Sequence, residues 1–443
     1  MLSEPSTAPR RTAHRERIDA LCWLLLALGG LALAALAVQL DARLGTASAP
    51  FLGRYKIRIG LGSMLAPVVA AGTLWTAAAS RFTRWRWHEI QLFGYTVGLL
   101  WAIALALVDG WSGLTKALGS PEEYLGDVAQ VGDSPRTYLR HFTADAAYHS
   151  VASRGHPPGP VLFLWALQRI GVDDHIVLGF LITAVSVLTI PLVLAAVRDS
   201  VGEVAARRYL PVLVLAPYAI WTAVSLDGLV AVLGAAAIVS GLRASRRRVR
   251  GWAATGWAVL AGLLIGVAAL FSYSAPWLGL SLVCVYFARR RASLNVLSGV
   301  GALLPVLGAQ LLGFGWADGL VAAETDYAAR VAPYRSVLWW SAISVVVLLL
   351  AAGPPLFASA RKVRNTAMWP FLVGAGAAVV FSIAAGLARG GVEHAWLPFF
   401  PWLTVAAVAP ERPAGDPPPA PLLLAGLGAL VAVIIEGVLV TPW

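Results

Sequence analysis

The chain has 443 residues, 58% of them hydrophobic and only 13% charged. Soluble domains run at about 45–50% apolar and about 25% charged, so an ordinary water-soluble fold is excluded and an all-α polytopic membrane protein is expected. The net charge of +11 does not point to nucleic acid, because the basic residues sit in short loops between apolar runs, as in membrane proteins that keep positive loops in the cytoplasm.

Arg10, Arg11, Arg15 and Arg17 precede the first apolar run. That run lacks a small-residue cleavage motif and reads as a signal-anchor span over 20–40, with 1–19 as a cytoplasmic tail. Spans near 59–79 and 90–110 complete a three-span N-terminal region, 20–110. A polar external segment, 111–175, follows. Ten more spans are expected over 176–443, near 176–197, 209–224, 228–243, 252–270, 274–288, 293–314, 336–358, 368–387, 396–410 and 419–440, giving about thirteen in all. Several fall short of the roughly 20 residues a crossing needs, which predicts tilted, broken or protein-buried helices.

With the N-terminus cytoplasmic, 22 of the 34 basic residues fall inside, the four N-terminal arginines and those in clusters at Arg81–Arg86, Arg198–Arg208, Arg243–Arg250, Arg289–Arg291 and Arg361–Arg364 and at Arg412. One loop breaks the pattern, because Arg43, Arg54, Lys56 and Arg58 then lie outside. The apolar patch 161–170 is too short to cross, and counting it as a span would put three arginine clusters outside. It reads as a helix on the outer surface, opened by the prolines before it. Trp339 and Trp340 suit an interfacial aromatic belt. The proline-rich stretch 410–421 reads as an inner linker, and the end, Thr441-Pro442-Trp443, faces outward. Cys22 and Cys284 lie in apolar runs, which argues against a structural disulfide or a thiolate metal site.

The outer face collects five of the seven histidines (His141, His149, His156, His175 and His394) and most of the acids. Asp109 closes the third span. It is either a boundary carboxylate that takes a proton from a hydroxyl or a turn residue before Gly110. Asp227, in the turn Trp221–Gly228, is a second acid, a metal ligand or an acceptor-binding group, or else turn and N-cap chemistry. The bend Arg389-Gly390-Gly391-Val392-Glu393-His394 offers a phosphate-binding cation, a carboxylate and an imidazole, or a local Arg–Glu pair. The loop 315–335 adds Trp316, Asp318, Glu324, Asp326, Tyr327, Arg330, Tyr334 and Arg335, aromatics and arginines that suit either a sugar-phosphate on a lipid or an interfacial belt with no ligand. No phosphate-binding loop, dinucleotide fingerprint, His-Glu-x-x-His or Gly-x-Ser-x-Gly occurs, which argues against ATP-driven transport by this chain. Acids gathered outside, without an internal repeat, favour chemistry on the outer face; a lipid or polyprenyl-phosphate transporter is the alternative.

The order of these features resembles the GT-C class of polytopic glycosyltransferases. An acid ends an early span, and His156-Pro157-Pro158-Gly159 is similar to the His/Lys-Pro-Pro string of protein mannosyltransferases and aminoarabinose transferases. Ser225-Leu226-Asp227-Gly228 and Gly391–Phe399 resemble strings of actinobacterial membrane proteins of this class. Two departures stand out: His394 where Glu-Arg is the pattern, and two extra spans before Asp109. The resemblance implies a large first external loop with a surface helix, an extracytoplasmic site in the plasma membrane, and inverting transfer of a sugar, mannose or a pentose, from a polyprenyl phosphate to a glycolipid, glycan or peptide hydroxyl. It implies Asp109 as base, Asp227 as acceptor-orienting or metal-holding acid, and Arg389, His156 and Arg335 on the donor phosphate. Asp127, Tyr124, Glu393 and His394 are then substrate-binding. The resemblance fixes no cofactor; members of the class differ in their use of a divalent cation, and the metal is left open.

Overall fold

In lipid a backbone N–H finds no water, so each apolar run must close its hydrogen bonds within itself as a helix. The computed structural model describes residues 8–410 and 415–441, and among these the chain is helical apart from turns and one two-residue antiparallel pair. Arg412 and the Pro442-Trp443 end lie outside the described residues, as do residues 1–7 of the tail.

Every expected span contains helix, but the thirteen are unequal. Six helices are long and apolar enough to cross a membrane, seven if the bent pair Trp316–Tyr334 and Val337–Ala352 counts as one span. Gly62–Ala78, Pro276–Ala288, Trp369–Ala384 and Leu422–Val438 are apolar but shorter. The runs at 209–224 and 396–410 are broken, the first between Glu203–Val214 and Pro217–Trp221, the second into Phe400–Thr404 and Val405–Val408. Both are buried, so protein rather than lipid surrounds their irregular backbone. Leu21, Leu25 and Leu28 are exposed on the first helix while Trp23, Ala27 and Ala34 are buried, the arrangement of a helix with lipid on one side.

Contacts sort the loops into two ends. At one, Arg207 donates to the Phe82 carbonyl and Arg208 to the Pro417 carbonyl. At the same end Arg289 and Arg246 pair with Asp199, both about the same short distance away (2.6 and 2.5 Å), and Arg361 pairs with Asp19 at 2.6 Å. These join the arginine clusters expected inside. At the other end the segment 40–60, the external segment, the 316–335 stretch and the 386–396 bend meet one another. There Ser336 N–H donates to the Arg43 carbonyl at 2.8 Å, and Arg154 pairs with Asp326 at 3.3 Å.

The external segment is a set of short helices whose buried side chains, including Leu114, Tyr124, Val128, Tyr138, Phe142 and Leu164, form one cluster with Leu178, Ile182, Val224, Leu229 and Phe314 of neighbouring elements. The short apolar patch forms the helix Gly159–Arg169, with Val161 and Leu164 buried and Gln168, Arg169 and Ile170 open. Trp340 corrects the aromatic-belt reading. It is fully buried and its indole N–H donates to the Leu44 carbonyl at 3.1 Å, so it anchors the segment after the first helix instead of marking an interface. Cys22 and Cys284 are both free.

Candidate functional site

The polar groups at this second end surround a cavity of about 600 Å³. Asp109 enters it where the helix Trp87–Ala106 gives way to a 3-10 stretch, Leu107–Leu114. Gly110, at φ 66, breaks that stretch just after the carboxylate, a conformation cheap only for glycine. Asp109 is therefore both a turn residue and a cavity residue. Its Oδ1 is ion-paired with Arg58 Nη1, and Arg58 also lies 3.4 Å from a Glu436 carboxylate oxygen. Lys116 lines the same region and donates to the Thr441 carbonyl at 2.7 Å.

Asp227 begins the helix Asp227–Ala244. The turn before it holds Val224 at φ 61, rare for a β-branched residue, fixed by Val224 N–H donating to Thr183 Oγ1 at 3.0 Å. Two imidazoles flank the Asp227 carboxylate, His156 Nε2 at 3.9 Å from one oxygen and His394 Nδ1 at 4.0 Å from the other. His156 Nδ1 lies 2.9 Å from the Ala152 carbonyl, which only accepts, so the Nδ1 proton is assigned and Nε2 faces Asp227. Tyr124 packs edge-on against His156, with ring centroids 5.7 Å apart. Glu123 joins this group, its carboxyl pushed up to about 7 by burial first and then by Asp227 and Glu122. Burial drives His394 the other way, down to about 3, with His156 adding to the effect, so its ring is neutral.

A third group surrounds Arg335. Its Nη1 donates to the Arg389 carbonyl at 2.8 Å, one of five N–H groups on the guanidinium. Gly390, at φ 101, lies so close that a Cβ there would stand 3.0 Å from Arg335 Nη1. Burial lowers the arginine from its ordinary value, opposed by Tyr327 and Glu393. Tyr327 and Asp326 line the cavity beside it.

Of the residues expected from sequence, Asp109, Asp227, His156, Arg335, Tyr124 and His394 line this one cavity. Three do not. Arg389 donates to the carbonyls of Gly386, Ala332 and Arg335, tying the bend to the 332–335 turn. Asp127 is buried and accepts from Gln130 Nε2 at 2.9 Å and from Ser150 N–H at 2.9 Å, holding the external segment together. Glu393 is fully buried next to the lining His394, neither oxygen in a hydrogen bond to another of the described residues, and is pushed up to about 7 chiefly by that burial. Among the described residues no three His, Cys, Asp or Glu side chains converge as a metal-ligand set.

Sequence reasoning passed over Arg58, Lys116, Glu123 and Glu436 as site residues. Two carried a signal. Arg58 belongs to the basic loop on the wrong side for the charge rule, and Glu436 is a lone ionisable residue in an apolar span.

No family model matches the chain, and no curated protein matches it. Among solved structures it is similar to the crystal structure of ArnT from Cupriavidus metallidurans bound to undecaprenyl phosphate, at 19% identity and a TM-score of 0.43. The match covers 69% of this chain and 58% of that one, so this chain spans less than two thirds of its length.

Proposed function

We propose that this protein is a membrane glycosyltransferase of the GT-C type, moving a sugar from a polyprenyl phosphate to an acceptor hydroxyl at the extracytoplasmic face. The observation that carries the reading is the composition of this cavity. It joins a tethered carboxylate, Asp109, and a glycine-cradled guanidinium, Arg335, with apolar wall from Leu52, Leu125, Leu164, Ile220 and Val224. A ligand part lipid, part sugar and part phosphate matches that mixture.

In the proposed reaction the acceptor oxygen attacks the anomeric carbon as its proton passes to Asp109. The bond from that carbon to the phosphate oxygen breaks on the opposite face, inverting the centre, and polyprenyl phosphate departs with the electron pair. Arg335 receives the growing phosphate charge, with His156 second. Arg389 acts on the phosphate only through Arg335, whose guanidinium its carbonyl holds. Asp227, between the two imidazoles, orients the sugar or acceptor, and Tyr124 packs behind His156. The donor sugar is mannose or a pentose in this reading, and the acceptor a glycolipid, glycan or peptide hydroxyl.

The test is transfer of label from polyprenyl-phosphate mannose, arabinose or glucose into an envelope extract by the purified full chain. Label in product, lost on Asp109→Asn, supports the reading. No transfer from any of the three donors overturns it and brings the transporter forward.

A further inference from the structure

Inverting displacement separates two jobs in space: the base stands on the acceptor side of the anomeric carbon and the phosphate-binding cation on the other. Arg58 and Arg335 are both partly buried guanidinium groups on the cavity wall. Only Arg58 is bound to the carboxylate. Its chain segment is fastened to the C-terminal strand, with Arg54 and Tyr55 registered against Val440 and Leu439. Lys56 N–H donates to the Val438 carbonyl and Arg58 N–H to the Gly437 carbonyl, each at 2.8 Å. The guanidinium is then committed at both ends. Nη2 donates to the carbonyls of Glu436 and Leu439, and Nη1 to Asp109 Oδ1. Nε is buried with no hydrogen-bond partner among the described residues. Little is left to offer a phosphate. Asp109 Oδ2, by contrast, receives no donor from any described residue.

We infer that Arg58 is a positioning residue for the base: it clamps Asp109 Oδ1 so that Oδ2 faces the acceptor hydroxyl, and it is itself aimed by the C-terminal strand. This rests on the transferase reading, and it gives the segment after the first helix a role in the site. A Glu436 carboxylate oxygen, 3.4 Å from Nη2, adds a further contact that holds the guanidinium in place.

The experiment uses the purified full chain with Arg58→Ala and Arg58→Lys. Loss of the clamp is expected to lower kcat about 100-fold, the cost of roughly 1 Å of misplacement, while donor KM stays within about threefold. Methylguanidine in the assay should restore part of the Arg58→Ala turnover, and Arg58→Lys should fall between the two. A raised donor KM with kcat intact would make Arg58 a phosphate ligand and overturn the inference. A second arm needs no turnover. Carbodiimide labelling read by mass spectrometry should mark Asp109 about tenfold faster in Arg58→Ala than in wild type, because the reagent attacks an untethered carboxyl. Equal labelling overturns the clamp whatever the activity. Faster labelling in a protein that transfers none of the sugars supports the clamp while the transferase reading falls. Arg58→Lys serves both arms if Arg58→Ala does not fold.

Discussion

Replacing Glu123 by Gln should flatten a pH dependence of stability that the structure builds into the cavity. Burial, with Asp227 and Glu122 nearby, moves the carboxyl from 4.5 in the open chain to about 7 in the fold. Each unit is worth about 1.36 kcal/mol, so the full effect is about 3 kcal/mol at most, water access to the partly open side chain reducing it. The sign follows from where the proton is held. Below about pH 4.5 both states keep it, and the folded state has its full advantage. As pH rises from 4.5 the unfolded chain ionises first, and stability is lost until the folded carboxyl also ionises near 7. Glu393, also near 7, adds a fall over the same range, whereas His394, near 3, costs stability as pH drops below 6.5. The wild-type curve is a sum, so the measured quantity is the difference between wild type and Glu123→Gln. Unfolding in mixed micelles by SDS titration, from about pH 4.5 to about pH 8.5, should show the variant gaining on wild type by about 2–3 kcal/mol. Parallel curves would refute the buried, acid-flanked environment assigned to Glu123.

Asp109→Asn keeps the shape and removes the proton acceptor. It should lower kcat by about 10²–10⁴-fold in the label-transfer assay without loss of folded protein. Gly390→Ala combines a positive φ of 101° with a methyl 3.0 Å from Arg335 Nη1, and should raise donor KM and cost about 1–3 kcal/mol, read by thermal unfolding in detergent. Asp127→Ala removes the acceptor for Gln130 Nε2 and Ser150 N–H. It should destabilise the external segment by about 1–3 kcal/mol, seen as faster amide exchange there, and any activity it loses should return at lower temperature.

Much of the plan was legible in the order of residues. Apolar runs dictate helices because lipid offers the backbone no other partner, and Trp101 or Leu105 belongs to such a run wherever the helix packs. Arginine clusters mark one end of the bundle because crossing is costly for charge, and their contacts through Asp199, Phe82 and Pro417 confirm a common end. Asp109, Asp227, His156 and Arg335 stood out because polar groups are scarce here. What the order of residues left open is which of them share a space. Arg389 and Arg335 are both arginines in polar turns, yet backbone carbonyls take up one while the other lines the cavity, a distinction made by the fold of the 386–391 bend. Asp127 and Glu123, four residues apart in one short segment, face an internal hydrogen-bond network and the cavity respectively. Arg58 meets Asp109 and Glu436 across 51 and 378 residues of chain. Local composition dictates element type and end of the bundle, since those depend on transfer from water to lipid, residue by residue. Convergence depends on how helices and loops pack, and only the tertiary structure decided it.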